Sequence, residues 1–192
     1  TLSKMVESGT RIVVIDPRKI DLAGVADLWI RPRPGTDGAL AMGLLKVVVE
    51  EELYDRDFVR DWTLGFDELR AELATFSLAD VATATWVPEE QIRELARLMG
   101  TCHPAGVQWG NGVTHGVQPF QMHRAIGILV SITGNLNVPG GMVLPRSESN
   151  FVRPGSFYML RRRAPVAHKT IGKEYPMTIS STSVPSYTLM RA

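Results

Sequence analysis

The residues best suited to chemistry gather at the ends of apolar segments. Asp16, Pro17 and Arg18 close the run 11–15, which is rich in β-branched side chains and led in by Gly9 and Thr10. A continuous apolar run of this length fits a strand covered on both faces, as in a parallel α/β sheet. Ligands of such sheets sit beyond the carboxyl ends of the strands. At that edge Asp16 can accept hydrogen bonds from ribose hydroxyls. Pro17 ends the ladder because it has no donor, and Arg18 offers a fork of donors to phosphate. A buried strand followed by a solvated turn accounts for the same residues equally well.

The second group is Gly110-Asn111-Gly112-Val113-Thr114-His115-Gly116, which follows an apolar stretch at 105–109. Glycines let backbone amides approach a ligand closely, and a strand–loop–helix setting resembles an anion-binding turn. The spacing at 110, 112 and 116 does not match G-x-G-x-x-G, and no phosphate loop ending in Gly-Lys-Ser/Thr occurs. A flexible turn explains the glycines as well. His115 lies at the strand edge where ligands bind. His103, His123 and His168 fall in a turn, on a helix and in an irregular tail. None pairs with a carboxylate or another histidine at ligand spacing, so no protein-only metal site is expected. Ser147, Ser149 and Asp16 do not form a nucleophilic triad.

These residues need a scaffold, and the pattern supplies an α/β one. Residues 19–26 read as a short helix or turn, and Leu28-Trp29-Ile30 as a second strand closed by Arg31-Pro32-Arg33-Pro34-Gly35. Thr36 and Asp37 both have N-cap chemistry ahead of a helix over 38–53, with Leu40, Leu44 and Val48 on one face. Glu50, Glu51 and Glu52 oppose the dipole at its end, so that end should wind loosely. Short helices are predicted over 54–62 and 66–76, and a further turn capped by Ser77. A clear helix opens at Pro88 and exits at Gly100, with Ile92, Leu95, Ala96 and Met99 as its stripe. A third strand is expected at 105–109. Pro119 opens the last helix, and beyond Gly134 the asparagines, prolines and glycines mark an irregular connection. The domain should cover 1–141, with 142–192 leading into an incomplete neighbouring unit that has too little apolar periodicity to order itself.

Composition narrows the function classes. The 192 residues carry a net charge of +1, so no broad field points to nucleic acid or an anionic membrane. A single cysteine, Cys102, rules out an intramolecular disulfide or a cysteine-held iron–sulfur cluster within this stretch. No apolar run reaches the length of a membrane span. The opening, without methionine and resembling a helix end capped by Gly9, reads as an internal piece of a longer polypeptide.

In order, the motifs are Val14-Ile-Asp-Pro-Arg18, Ala26-Asp27, Arg33-Pro-Gly-Thr-Asp-Gly-Ala-Leu40, Leu53-Tyr-Asp55 with Phe58-Val59, Gly65-Phe66, Val87-Pro88, Trp109-Gly-Asn-Gly112, and Thr133-Gly-Asn135 with Pro139-Gly-Gly141. Together they resemble the catalytic subunits of molybdenum- or tungsten-dependent oxidoreductases of the dimethyl sulfoxide reductase superfamily, with the formate dehydrogenase-like branch nearest.

The resemblance implies a Rossmann-like three-layer domain with a mostly parallel sheet, one of two that hold a pair of pyranopterin guanine dinucleotides on one molybdenum or tungsten ion. It implies Asp16, Pro17 and Arg18 at the guanosine and phosphate part. Pro34, Gly35 and Asp37 would line the guanine pocket, while Trp109, Gly110, Asn111, Gly112 and His115 would run along the pterin. Arg146 falls near an active-site arginine of formate dehydrogenases, although Pro145-Arg-Ser-Glu-Ser-Asn150 departs from their pattern, so a formate substrate does not follow. The full-length enzyme would act on a small molecule, with a 4Fe-4S centre in a missing upstream segment and an electron-transfer subunit as partner. The segment that normally carries the protein ligand to the metal is also absent. The alternatives are a stand-alone guanine-nucleotide-binding module without a redox centre and a purely structural scaffold.

Overall fold

The computed structural model describes residues 7–116 and 118–143. The chain divides into two units, Thr1–Leu144 and Pro145–Ala192, and every described residue falls in the first. Arg146 and the rest of the irregular tail lie outside the described residues.

Two of the expected strands form. Strands β1 (Val13–Ile15) and β2 (Leu28–Ile30) run parallel, with Val13 opposite Leu28 and Ile15 opposite Ile30. The connection between them carries a short 3-10 turn, Asp21–Gly24. Asp27 fixes the start of the pair: its carboxylate accepts the Ile12 N–H at 2.7 Å, and its own N–H bonds the Ile12 carbonyl. Asp16 N–H closes the other end on the Ile30 carbonyl at 3.1 Å. Because amide directions alternate along a strand, Val13 and Ile15 turn theirs to the outer edge of β1, where the described residues place no neighbour.

Helix α1 (Asp37–Glu50) is the centre of the core. Leu40, Ala41, Leu44, Leu45, Val47, Val48 and Val49 are all buried, because other helices cover α1 on several sides. Those neighbours are α3 (Phe66–Leu73), α4 (Leu78–Thr85), α5 (Glu89–Thr101) and α7 (Pro119–Ile132). Gly43 permits the closest approach: a Cβ there would meet Val81 Cγ1 at 2.6 Å. The buried face of α5 is Ile92, Leu95, Ala96 and Met99, the stripe its spacing predicts.

Local chemistry sets the helix ends. Asp55 caps α2 (Arg56–Trp62) by accepting the Phe58 N–H at 2.9 Å. Ser77 and Asp80 form a full capping box on α4. The end after Glu50 is not the loose one expected: Glu51, the C-cap, still donates to the Val47 carbonyl at 2.9 Å, Glu52 takes a left-handed φ of 53° and the Leu53 N–H closes on the Val48 carbonyl at 2.9 Å. Helix α1 begins differently from expectation. Thr36 occupies the N-cap position, but its hydroxyl donates back to the Arg33 carbonyl at 2.6 Å and caps nothing.

The sheet needs correction. Among the described residues it has two strands and the molecule is dominated by helices, so three layers are not seen. Residues 105–109 are not a ladder strand. Their burial alternates, with Ala105, Val107 and Trp109 turned inward, so the pattern that suggested a strand is real. What is lacking is a partner backbone, since a strand exists only through its neighbour.

Candidate functional site

The carboxyl ends of β1 and β2 form one corner. Asp16 Oδ1 accepts the Arg18 N–H at 2.8 Å, a local turn that leaves Oδ2 without a hydrogen-bond partner among the described residues. The Asp16 carbonyl takes the indole N–H of Trp29 at 3.0 Å, locking the turn to the neighbouring strand. Arg18 reaches only 3.7 Å from the Asp16 carboxylate, and its side chain is 83% exposed. Pro17 is exposed between them.

Cations surround this corner. Arg31 lies over the Trp29 ring at 5.1 Å and Lys19 at 5.9 Å, while Arg33 lies over Trp86 at 5.4 Å. Arg33 is fixed through its backbone, which donates to the Thr85 carbonyl at 2.7 Å. Trp86 is exposed and holds a left-handed φ of 62° at the C-cap of α4. Arg18, Lys19 and Arg31 thus rim the strand ends, with the Trp29 indole holding two of them. Sequence reasoning singled out only Arg18. The available signal was the alternation of basic residues with proline after Trp29.

Pro34 and Gly35 are exposed in the turn before α1. Gly35 has a φ of 83°, and no atom lies within 4 Å of where its Cβ would be, so the backbone is open to a ligand there. Asp37 is the first residue of α1, half-buried, with no hydrogen bond or ion pair among the described residues. Its carboxylate sits at the positive end of the helix. A cavity of about 1230 Å³ begins here, lined by Gly35, Thr36 and Gly38 on one side and by Gln118, Gln121 and Met122 on another.

The glycine-rich loop contains one helical turn, α6 (Asn111–Thr114), closed by the His115 N–H on the Asn111 carbonyl at 2.8 Å. Cβ atoms at Gly110 and Gly112 would meet nothing within 4 Å. Trp109 contacts the His123 ring edge-on at 5.5 Å, and His123 is held by the Pro119 carbonyl at 2.7 Å. His115 is exposed. Met122 joins this loop to the start of α1. Cβ atoms at Gly38 and Gly116 would come within 3.0 and 2.5 Å of its side chain, so both glycines make room for it.

The structure therefore places Asp16–Arg18 beside β2, and ties the Gly38 turn to the 110–116 loop through Met122. No hydrogen bond or ion pair joins the three groups directly among the described residues. No cluster of three or more His, Cys, Asp or Glu side chains able to hold a metal ion occurs among them.

Comparison with known proteins gives the context. The model of the family described as molybdopterin oxidoreductase matches residues 1–188. Acetylene hydratase of Syntrophotalea acetylenica is 34% identical over 151 residues, 79% of this chain and 20% of that protein. Formate dehydrogenase H of Escherichia coli K12 is 37% identical over 144 residues, 74% of this chain and 20% of its own length. The solved acetylene hydratase from Pelobacter acetylenicus superposes with a TM-score of 0.68 at 34% identity, covering 70% of this chain and 18% of that one. The chain spans about a fifth of the length of these relatives.

Proposed function

The chain belongs to the molybdopterin oxidoreductase family, and from that premise we propose that it is the segment that holds a pyranopterin guanine dinucleotide in a molybdenum or tungsten enzyme. The enzyme's complete centre is a pair of these groups on one metal ion, as the resemblance implies. The observation that carries the reading is the rim of Arg18, Lys19 and Arg31 around an Asp16 oxygen without a partner among the described residues, at the edge where parallel sheets bind nucleotides.

The residues present fit such a group. Arg18, largely exposed and only loosely paired with Asp16, can neutralise phosphate, and Asp16 Oδ2 can accept ribose hydroxyls. Asp37 has a carboxylate able to accept the paired N–H donors of guanine, beside the open backbone of Gly35. Trp109, Gly110, Asn111, Gly112 and His115 offer an open backbone and exposed polar side chains along the pterin. When bound, the metal centre supplies two-electron exchange with a small substrate. The chain's own residues bind and orient the dinucleotide, and Arg146 is the candidate catalytic residue that the resemblance implies.

The Rossmann-like three-layer reading belongs here as well. The outer edge of β1, unpaired among the described residues, and the alternating burial at 105–109 support a larger, mostly parallel sheet in the full-length protein. An iron–sulfur centre upstream and an electron-transfer subunit complete the proposed enzyme. The domain boundary near Gly141 is part of the same reading. A stand-alone guanine-nucleotide module is not favoured, because the family match extends through residue 188 and the relatives are enzymes by name.

The test is to purify the full-length protein and the 192-residue chain, and to measure metal, pterin and guanine nucleotide released on denaturation. The full-length protein should carry metal with two guanine nucleotides per ion, and the chain alone no metal and no turnover. Formate oxidation with an artificial acceptor and acetylene hydration then separate the two chemistries. A full-length protein without pterin overturns the proposal.

A further inference from the structure

The run 105–109 alternates between half-buried and exposed residues, yet one backbone N–H in it is bonded among the described residues: that of Ala105 donates to Asn135 Oδ1 at 2.8 Å. Asn135 is fully buried. Its amide nitrogen donates to Thr133 Oγ1 at 3.0 Å, to the Thr133 carbonyl at 3.2 Å and to the Met99 carbonyl at 3.4 Å. These acceptors and the Ala105 donor fix which end of the amide is oxygen. The His103 ring lies 3.3 Å from that oxygen and 3.0 Å from the Gly100 carbonyl. The backbone of Asn135 is engaged too, donating to the Val130 carbonyl at 3.0 Å and accepting the Met142 N–H at 2.9 Å.

One residue thus ties together the end of α5 and the entry to the glycine-rich loop through its side chain, and the turn at Met142 through its backbone carbonyl. We infer that Asn135 is the positioning residue of the pterin side: it sets where the 105–109 run begins, and so where Trp109, Gly110, Asn111 and Gly112 are delivered. The inference rests on the function proposed above, which assigns that loop to the pterin. A bond to Asn135 matters here because residues 106–109 make no other backbone hydrogen bond among the described residues. The run also packs Ala105 and Val107 against the core, sets the edge of Trp109 on His123 and passes Gly106 by the Gly140 carbonyl.

The experiment uses the full-length holoenzyme and compares Asn135→Leu with Asn135→Asp. Leucine fills the space without any hydrogen bond. Aspartate keeps the oxygen that receives the Ala105 N–H and loses the donations to Thr133 and Met99. Amide deuterium exchange over 106–116 is read beside the rate at which molybdenum and guanine nucleotide are lost on gel filtration, with the melting temperature as the measure of general damage. Asn135→Leu should speed exchange at 106–116 and cofactor loss by about tenfold, the change expected when a buried hydrogen-bond donor loses its partner. Asn135→Asp should restore most of both, even where its melting temperature is no higher than that of the leucine variant. Equal behaviour of the two, following melting temperature alone, makes Asn135 an ordinary core residue and overturns the inference. If Asn135→Leu does not accumulate, the smaller Asn135→Ser carries the same reading, since its hydroxyl does not reach Ala105. Wild-type protein lacking pterin defeats the proposed function instead, which separates the two failures.

Discussion

Lys46, on the central helix, donates its ammonium to the carbonyl of Leu73, the last residue of α3, at 2.9 Å. The side chain is buried, 2.7 Å from Glu50 and 5.5 Å from the Phe76 ring centroid. A lysine here satisfies a carbonyl that the helix end would leave bare. Lys46→Met keeps the stem packed on Phe76 and removes the donor. It should cost about 1–3 kcal/mol, the penalty for a buried acceptor left unpaired, and not the smaller worth of the half-exposed Glu50 pair. A denaturant midpoint unchanged in the variant would show that water replaces the ammonium.

Glu51 receives two hydrogen bonds from Arg97, at 2.7 and 2.9 Å, and a longer one from Arg93 at 3.4 Å. The Arg97 hydrogen bonds, followed by its charge and that of Arg93, outweigh desolvation and hold the carboxyl below its ordinary range. A carboxyl depressed in the folded state stabilises the fold above its unfolded pKa, and the contribution is lost as pH falls through the folded value. Glu51→Gln should therefore lower the melting temperature at neutral pH and show a smaller further loss on acidification than wild type. Parallel curves for the two proteins would remove Glu51 from the acid response.

Gly43→Ala sets two effects against each other. Alanine in a helix interior gains about 1 kcal/mol over glycine. The new methyl would stand 2.6 Å from Val81 Cγ1 and 3.5 Å from Ile92 Cγ2. Val81 is β-branched and cannot easily turn away, so an overpacking cost of about 1–3 kcal/mol should win. Calorimetry should show a net loss, and a smaller one in a Val81→Ala background. Equal losses in both backgrounds would mean that the helices separate as bodies.

Asp37→Asn tests the nucleotide base. Aspartate can accept both guanine donors, and asparagine can accept only one. Losing one charge-assisted bond should reduce the guanine-over-adenine preference about tenfold or more. Asp37 lies inside the helix and its side chain makes no capping hydrogen bond among the described residues, so the melting temperature should change little. Competition between guanine and adenine nucleotides for the full-length apoprotein gives the ratio. A preference that survives places the guanine pocket elsewhere and leaves Asp37 as a favourable charge at a helix start.

Both strand ends, the capping box at Ser77 and the buried stripe of α5 were legible because each is written within a few adjacent residues. Strand 105–109 misled because burial alternation reports the direction of side chains and says nothing about a neighbouring backbone. Asn135 and Lys46 were invisible for a related reason. Their partners lie 30 and 27 positions away, at Ala105 and Leu73, and such pairings leave no periodic trace. At the site, Asp16 and Arg18 stood out at a strand end. The indoles that hold Lys19, Arg31 and Arg33 did not, because an aromatic–cation contact follows from the fold and not from spacing.

The flank of β1 that is bare among the described residues bears on how copies of the chain meet in concentrated solution. Unpaired strand amides are a template on which another chain can grow a fibril. Here the template is three residues long, preceded by Arg11 and followed by Pro17, which has no amide to offer. A second copy laid along Val13–Ile15 would gain a very short ladder before meeting a guanidinium at one end and an imino acid at the other. Growth by accretion along this flank is therefore self-limiting, and the sequence that ends the strand also acts as its gatekeeper.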